Sequence, residues 1–228
     1  MKTLGKKYQE NLFSFEEAGI IANFQNWHAN CFSNMAGGDS VGNLLTDRLS
    51  ENPIIAAIKS VDKLDDALKS SVEIIFLLTG DVFNLKEMVD KIHKRRKKAF
   101  VHVDLIEGIS SDPVGLRFIC ETVQPDGIIT TKGHLIKAAK KMKVLTIQRL
   151  FILDSLSLDT GIHSIKTHNP DAVEILPGVM PKITRHIVNG TQIPIITGGL
   201  IKDKDDVIQS LKAGAMGIST SSEDIWEL

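Results

Sequence analysis

The feature that most constrains this 228-residue chain is an alternation of short β-branched runs with amphipathic segments, which begins at Pro53. Eight runs rich in Val, Ile and Thr have the length and continuous apolar character of strands buried on both faces. They lie at residues 54–58, 73–78, 99–104, 126–130, 145–148, 172–176, 193–197 and 217–220. Segments with helical periodicity follow them, at about 62–70, 84–97, 113–123, 133–141, 155–167, 179–189, 203–213 and 221–227.

Eight strand–helix units predict a parallel sheet that is covered by helices, and closure of that sheet into a barrel leaves no unpaired edge. We therefore predict an α/β fold, a compact (β/α)8 TIM-type barrel over residues 53–228. This is shorter than the ~250 residues typical of the fold, so its loops must be minimal. The alternative is an open, doubly wound sheet. That fold normally carries a Gly-rich fingerprint after its first strand, where this chain has Lys59, Ser60 and Val61.

Two of the predicted helices have recognisable start signals. Asp112 precedes Pro113, which is the pattern of an N-cap followed by proline at the first helical position. Asn84 stands three residues before Glu87, the spacing of a capping box.

Residues 1–52 form an N-terminal extension of different character. It holds six of the twelve aromatic residues of the chain and shows no clean period of 2 or 3.6. Its structure and role stay open between a helical cap over the barrel floor, a translation start assigned too early, and disorder. The aromatic side chains favour packing against something.

Composition argues against a disordered chain, a fibrous repeat and a disulfide scaffold. Hydrophobic residues at 43% and charged residues at 24% are ordinary for a globular domain. No apolar run approaches the ~18 residues of a membrane span, and the N-terminus lacks the apolar stretch of a signal peptide. Cys31 and Cys120 match no metal or redox spacing, so we expect a reduced, cytoplasmic protein without a metal or cofactor. The net charge of −1 argues against a general polyanion-coating protein but leaves a local basic patch open.

Functional groups of a barrel gather where the strands end. Gly198 and Gly199 follow the seventh predicted strand, where backbone N–H groups can approach a ligand closely. Ser219, Thr220 and Ser221 close the eighth strand ahead of a short helix, whose N-terminus favours an anion. These two loops are the recurrent phosphate cradle of barrels, so we expect phosphate binding here, with plain turn chemistry as the alternative.

Other strand-end groups have mixed sign: Asp104 and Glu174 against Lys132 and Arg149. A phosphorylated polyol would use both, carboxylates for its hydroxyls and cations for its phosphate. The alternative is internal ion pairing across the mouth, and a Schiff-base role for Lys132 is the least favoured interpretation. His102 lies two residues before Asp104, as a metal pair would, but without a third ligand we prefer a hydrogen-bonded core histidine.

Basic clusters end the second and fourth predicted helices, at residues 91–98 and 137–143. Cations at a helix C-terminus complement its dipole, so good helix termination is the simpler interpretation. Clustered Lys and Arg side chains also attract nucleic acid, and on that basis Lys94, Arg95, Arg96 and Lys97 are candidate RNA contacts.

Six strings stand out in order along the chain: HVDLIEG at 102–108, GIITTK at 127–132, IQRLF at 147–151, EILPGVMP at 174–181, GGLI at 198–201, and STS at 219–221 with IW at 225–226. Together they resemble the glycerol uptake operon antiterminator regulatory protein family. The match begins with NPIIAAIKS at 52–60 and spans about three quarters of the chain.

The resemblance implies a barrel that regulates transcription instead of catalysing a reaction. Members act in antitermination of glycerol genes, respond to glycerol 3-phosphate and bind leader mRNA. Two other classes stay open: a small barrel enzyme, a lyase or isomerase acting on a phosphorylated polyol with Asp104 and Glu174 as its acid/base pair, and a metabolite-binding module that signals through protein contacts. No membrane partner is expected, and the oligomeric state stays open between a monomer and a homo-oligomer.

Overall fold

The structure is a computed structural model that describes residues 42–228. Eight strands in this part of the chain form one closed parallel barrel, in which each strand pairs with its sequence neighbours and the last pairs with the first. The strands are β1 (Ile54–Ile58), β2 (Ile74–Leu77), β3 (Lys98–His102), β4 (Gly127–Thr130), β5 (Leu145–Phe151), β6 (Ala172–Leu176), β7 (Ile195–Gly198) and β8 (Gly217–Thr220). The predicted (β/α)8 barrel is confirmed, and closure excludes the open sheet.

One helix precedes the barrel and seven surround it. They are α1 (Gly42–Glu51), α2 (Leu64–Lys69), α3 (Leu85–Lys94), α4 (Pro113–Phe118), α5 (Gly133–Lys141), α6 (Ser155–His168), α7 (Pro181–Gly190) and α8 (Lys204–Lys212). Short 3₁₀ helices occupy Val61–Lys63, Val103–Leu105 and Glu223–Ile225, and a π-helix at Ile119–Val123 extends α4. The helix predicted at 221–227 is therefore a single 3₁₀ turn. No helix among the described residues is long and apolar enough to cross a membrane.

The start signals are confirmed in one case and wrong in the other. Asp112 caps α4, where its Oδ1 accepts hydrogen bonds from the amides of Val114 at 2.8 Å and Gly115 at 2.9 Å. Asn84 makes no capping bond to α3. Its Oδ1 accepts from the amide of Asp81 instead, and the Asp81 carboxylate accepts from the amides of Phe83 and Asn84. The Asp81 carboxylate therefore stabilises the turn before α3 and not the helix itself.

Side chains alternate along the strands between the barrel interior and the helix layer. The interior is filled by one apolar cluster, which includes Ile55, Phe76, Phe100 and Ile147. The rings of Phe76 and Phe100 lie 5.8 Å apart between centroids. Two further clusters, one larger and one smaller, fill the space between strands and helices. The barrel is therefore a packed core with no channel through it.

Helix α1 closes the N-terminal end of the barrel, which we call the floor. Its buried Leu45 and Leu49 belong to the interior cluster. A Cβ on Gly217, the first residue of β8, would come within 2.9 Å of Leu49 Cδ2, so glycine makes room for this plug. The extension predicted at residues 1–52 lies outside the described residues up to position 41, and α1 is its last part.

Ion pairs surround the plug. Arg48 of α1 binds Glu73 at 2.7 Å, and Asp126 binds Lys98 at 2.9 Å and His93 at 2.8 Å. Burial raises the pKa of the Asp126 carboxyl, but hydrogen bonds from Lys98, the Ala99 amide and His93 outweigh that effect and hold the pKa below its ordinary value. The floor thus fastens the first residues of β3 and β4 to their neighbours.

Candidate functional site

The C-terminal end of the barrel, which we call the mouth, gathers most of the predicted ligand residues. In the last interior layer, Arg149 of β5 is in register with Glu174 of β6, and Gly198 of β7 with Ser219 of β8. His102, the last residue of β3, lies on the opposite side of the ring of strands. The sequence prediction that these residues share one end of the barrel is therefore confirmed by the topology.

Glu174 is the hub of a buried network. The residue is fully buried; Oε2 accepts from Arg149 Nε at 2.6 Å and Oε1 accepts from Ser219 Oγ. Internal ion pairing, the alternative to ligand binding, is thus present for this pair. The terminal guanidinium nitrogens of Arg149 donate to no acceptor among the described residues, so they are available to an anion at the mouth.

Gly198 makes this network possible. A Cβ there would lie 2.4 Å from Ser219 Oγ and 2.8 Å from Glu174 Oε1, closer than real contacts allow. Glycine at the end of β7 therefore permits the carboxylate and the hydroxyl to meet. The structure thus gives Gly198 a packing role that is separate from the predicted approach of its backbone to a ligand.

The loop after β7 is strained. Gly199 has φ of 72° and the following Leu200 has φ of 63°, a left-handed conformation that a leucine rarely adopts. The Leu200 side chain is 63% exposed. Within the described residues, the amides of Gly199, Leu200 and Ser221 donate to no protein acceptor. Consecutive unbonded amides in a turn form an anion-binding concavity.

Thr220 has a structural task. Its buried hydroxyl donates to the Ile201 carbonyl at 3.1 Å and accepts from the Ser222 amide, so it ties the loops after β7 and β8 together. Trp226 Nε1 donates to the Thr220 carbonyl at 2.8 Å. Because a single 3₁₀ turn follows, the helix N-terminus expected behind Ser221 contributes little dipole. This side of the mouth therefore offers unbonded amides and not the end of a helix.

Asp104 binds the loop after β4. Its Oδ2 accepts from Thr130 Oγ1 at 2.9 Å, from the Thr131 amide at 2.8 Å and from Thr131 Oγ1 at 3.2 Å. Lys132 Nζ lies 3.9 Å from the other oxygen, Oδ1, and donates to the Ser111 carbonyl at 3.1 Å. Lys132 therefore sits at the edge of the mouth, beside Asp104 and away from the Glu174 network.

His102 differs from the sequence interpretation. It is a core histidine, 2% exposed, but its Nδ1 is buried without a hydrogen-bond partner among the described residues. Burial and, secondly, the charge of Arg149 lower its pKa to about 4, against a smaller opposing effect of Asp104. The ring is therefore neutral at physiological pH. No cluster of three or more His, Cys, Asp or Glu side chains able to hold a metal occurs in residues 42–228.

The basic residues lie at the floor, because the helices run antiparallel to the strands. Lys94, Arg95 and Arg96 are exposed at the end of α3. Lys97 does not belong with them. It is buried, and its ammonium donates to the carbonyls of Ser70 at 2.7 Å and Val72 at 2.6 Å, so burial lowers its pKa. The predicted surface cluster is thus corrected to the three residues before Lys97.

Sequence reasoning missed two features of the mouth. The left-handed Leu200 has no signal of its own, since leucine is not a turn residue. The unpartnered Nδ1 of His102 depends on the distance to its neighbours, which a sequence does not contain. The only available signal was the position of His102 at a strand end.

The geometry defines a class: a (β/α)8 barrel with a closed floor and with unbonded hydrogen-bond donors at its mouth, the end at which such barrels bind small ligands. The family can be stated as well. The chain belongs to the family of glycerol-3-phosphate responsive antiterminators, whose sequence profile matches residues 54–226.

Similar proteins agree with this assignment. A crystal structure of the glycerol uptake operon antiterminator regulatory protein from Listeria monocytogenes is 35% identical, with a TM-score of 0.75 over 77% of this chain and 95% of that chain. A glycerol uptake operon antiterminator-related protein from Thermotoga maritima is 33% identical, with a TM-score of 0.69 over 77% of this chain and 98% of that one. The uncharacterised protein YgcP of Escherichia coli K12 is 38% identical over 79% of this chain and 94% of its own. The resemblance inferred from the strings is confirmed.

Proposed function

We propose that this protein is a transcription antitermination regulator of glycerol genes that takes glycerol 3-phosphate as its effector and leader mRNA as its target. The observation that carries the proposal is the mouth itself. In a chain of this family, Arg149 presents unbonded guanidinium nitrogens beside the unbonded amides of the strained loop after β7. This combination suits a phosphate dianion.

The phosphate is placed between two sources of donors. Arg149 offers the planar fork that binds phosphate in a bidentate manner, while Glu174 holds the guanidinium through Nε. The amides of Gly199, Leu200 and Ser221 face the same anion from the β7 and β8 loops. Glu174 therefore orients the cation and does not itself contact the phosphate. This assigns Ser219 and Glu174 to the support of the site.

We propose further that the protein is not an enzyme. The rival function, a lyase or isomerase for a phosphorylated polyol, needs an acid and a base around one carbon. Glu174 is committed to Arg149 and Ser219 on both oxygens. That commitment removes one member of the Asp104–Glu174 pair on which the enzyme hypothesis depended.

The RNA surface is proposed at the floor. Lys94, Arg95 and Arg96 are exposed there, and Lys137, Lys141 and Lys143 are exposed around the end of α5. We do not expect one RNA segment to touch both this surface and the effector, since they lie at opposite ends of the barrel. We therefore infer that effector and RNA are coupled through a change of state, with a homo-oligomer as its simplest form.

The test measures affinity for a leader RNA that carries a terminator hairpin, with and without saturating glycerol 3-phosphate. We expect the effector to tighten RNA binding by roughly tenfold, within the usual range of allosteric coupling. Arg149→Gln should abolish this response by weakening effector binding. If calorimetry shows that the effector binds and the RNA affinity stays the same, the regulatory proposal is wrong. Turnover of the effector would support the enzyme instead.

A further inference from the structure

The end of β3 holds two buried polar atoms that have no hydrogen-bond partner among the described residues. They are Nδ1 of His102 and Oδ1 of Asp104. Buried polar side-chain atoms are nearly always bonded, because leaving one unpaired costs free energy. Two such atoms on residues two apart in the chain indicate a place built for a third group.

The two residues do not satisfy each other. His102 Nδ1 lies 3.9 Å from Asp104 Oδ2, which is too long for a hydrogen bond. Asp104 Oδ2 is already occupied by Thr130 and Thr131, so the carboxylate is held in position. Its Oδ1 is left without a hydrogen bond, with the Lys132 ammonium 3.9 Å away. A rearrangement that pairs the two residues would break these bonds. The gap is therefore maintained by the surrounding structure.

The chemistry of the two atoms selects the third group. A carboxylate oxygen only accepts hydrogen bonds, whereas the neutral imidazole can donate from Nδ1 when the proton is on that nitrogen. A hydroxyl satisfies both, since it donates to Oδ1 and accepts from Nδ1–H. A phosphate oxygen does not, because the Asp104 carboxylate repels it. This is a hydroxyl site and not a second anion site.

The position of His102 and Asp104 in the mouth indicates which molecule would supply the hydroxyl. In the closed barrel β3 lies four strands from β7, on the far side of the mouth from the proposed phosphate position. Arg149 lies between them in strand order and is close enough to act electrostatically on His102. A small ligand anchored by its phosphate at Arg149 would present its other end to β3.

We propose that His102 and Asp104 form the hydroxyl-binding subsite of the mouth and make it select a polyol phosphate over a phosphate without hydroxyls. This inference rests on the proposed phosphate site at Arg149. It adds His102 as a binding residue and a determinant of specificity. The low pKa of His102 agrees with it, since the ring stays neutral and able to serve a neutral hydroxyl through the physiological range.

The experiment is calorimetry at pH 7.5 with three probes: ethyl phosphate, 2-hydroxyethyl phosphate and sn-glycerol 3-phosphate. The variants are His102→Leu, which removes both ring nitrogens, and His102→Asn, whose amide nitrogen lies near the Nδ1 position. We expect His102→Leu to weaken the binding of both hydroxylated probes by roughly tenfold, as for one lost hydrogen bond, and to leave ethyl phosphate unchanged. His102→Asn should restore most of the discrimination.

Two results would overturn the inference while leaving the phosphate site intact. One is an equal loss of affinity for all three probes in His102→Leu, which would indicate a purely structural role. The other is unchanged discrimination in that variant, as a bound water in the gap would give. Failure of the wild-type protein to bind any of the probes would instead contradict the proposed function itself.

Discussion

The two ends of the barrel differ in how completely their polar groups are hydrogen-bonded. At the floor, Leu45 and Leu49 of α1 complete an apolar plug, and Asp126 satisfies Lys98, His93 and a backbone amide together. At the mouth, polar atoms are left without partners. Nδ1 of His102, at the end of β3, and Oδ1 of Asp104, just after it, are buried there without a hydrogen-bond partner among the described residues. The other two such atoms found in residues 42–228 belong to Gln148, within β5, and Thr197, within β7.

This difference indicates that the floor stabilises the fold, whereas the mouth carries groups that reduce its stability. Unpaired polar atoms and a left-handed leucine each reduce stability, and they persist only where the surrounding fold is strong enough to hold them. In this barrel the floor supplies that strength. Substitutions at the two ends should therefore separate stability from ligand affinity.

The largest effect is expected from Phe100→Ala at the floor. Its ring is fully buried and packs against Phe76 and the backbone of Gly127, so the cavity should lower the free energy of unfolding by about 3–5 kcal/mol. The measurement is denaturant unfolding. Phe83→Ala is the matched control at the mouth, where the ring is 93% exposed, and it should change stability by less than about 0.5 kcal/mol. Similar losses in both variants would remove the contrast between the ends.

Acid should weaken the mouth before the floor. Because the folded pKa of His102, about 4, is below the unfolded value of about 6.5, protonation favours the unfolded chain. Its contribution is complete above pH ~6.5 and is lost as the pH falls towards 4, by about 3 kcal/mol in total. Unfolding curves across this window should show the slope in the wild type and lack it in His102→Asn.

The control for that experiment is Asp126→Asn at the floor. The pKa of Asp126 is held below its ordinary value by its hydrogen bonds, so its contribution is present above about pH 4 and is lost only at lower pH. The gap in stability between the wild type and Asp126→Asn should stay constant from pH 7 to 5. A gap that closes in this range would place the acid-sensitive group at the floor.

A smaller effect is expected from Gly198→Ala. The added methyl group would collide with Ser219 Oγ and Glu174 Oε1, so the network must shift, at about 1–3 kcal/mol of stability and with a loss of ligand affinity. Gly190→Ala is the control, since a Cβ there meets nothing within 4 Å at the end of α7. Calorimetry with glycerol 3-phosphate compares the two. Unchanged affinity in Gly198→Ala would show that the Arg149–Glu174 geometry is dispensable for binding.

The smallest effect concerns the exposed cations at the floor. Neutralising Lys94, Arg95 and Arg96 together should weaken RNA binding by about tenfold at physiological salt and lower the slope of log affinity against log salt by about 2. Effector affinity should stay the same. The matched control neutralises three exposed cations on other helices, Lys166, Lys182 and Arg185. Equal salt slopes in both triple variants would move the RNA surface elsewhere.

The architecture could be predicted from sequence because it depends on local pattern. Runs such as Ile54–Ile58 and Ala172–Leu176 have strand character along their whole length, and the structure reproduces their bounds. The choice of the strand ends as the functional region follows from the same pattern. What the pattern could not supply is the partner of each polar group. From the sequence, Lys97 is one more cation in a basic surface cluster. Only its contacts with two backbone carbonyls in the structure show that it is buried.

At the mouth, too, the sequence pattern did not reveal which polar groups are partners. Arg149 and Glu174 were expected to act on a ligand separately, or on each other, and nothing in their spacing decided between the two. Register decides it, because neighbouring strands place the two residues side by side. Asn84 shows the limit at short range, because its side chain accepts from the Asp81 amide and does not cap α3.

The closed floor has a consequence for the rates of ligand exchange. Because α1 and the packed interior block the N-terminal end, a ligand has a single route in and out. A partner that merely covers the mouth would slow association and dissociation by the same factor and leave the equilibrium affinity unchanged. A partner bound at the floor would alter neither rate unless it changed the conformation of the barrel. Stopped-flow measurements with and without RNA would therefore report which end of the barrel the RNA occupies.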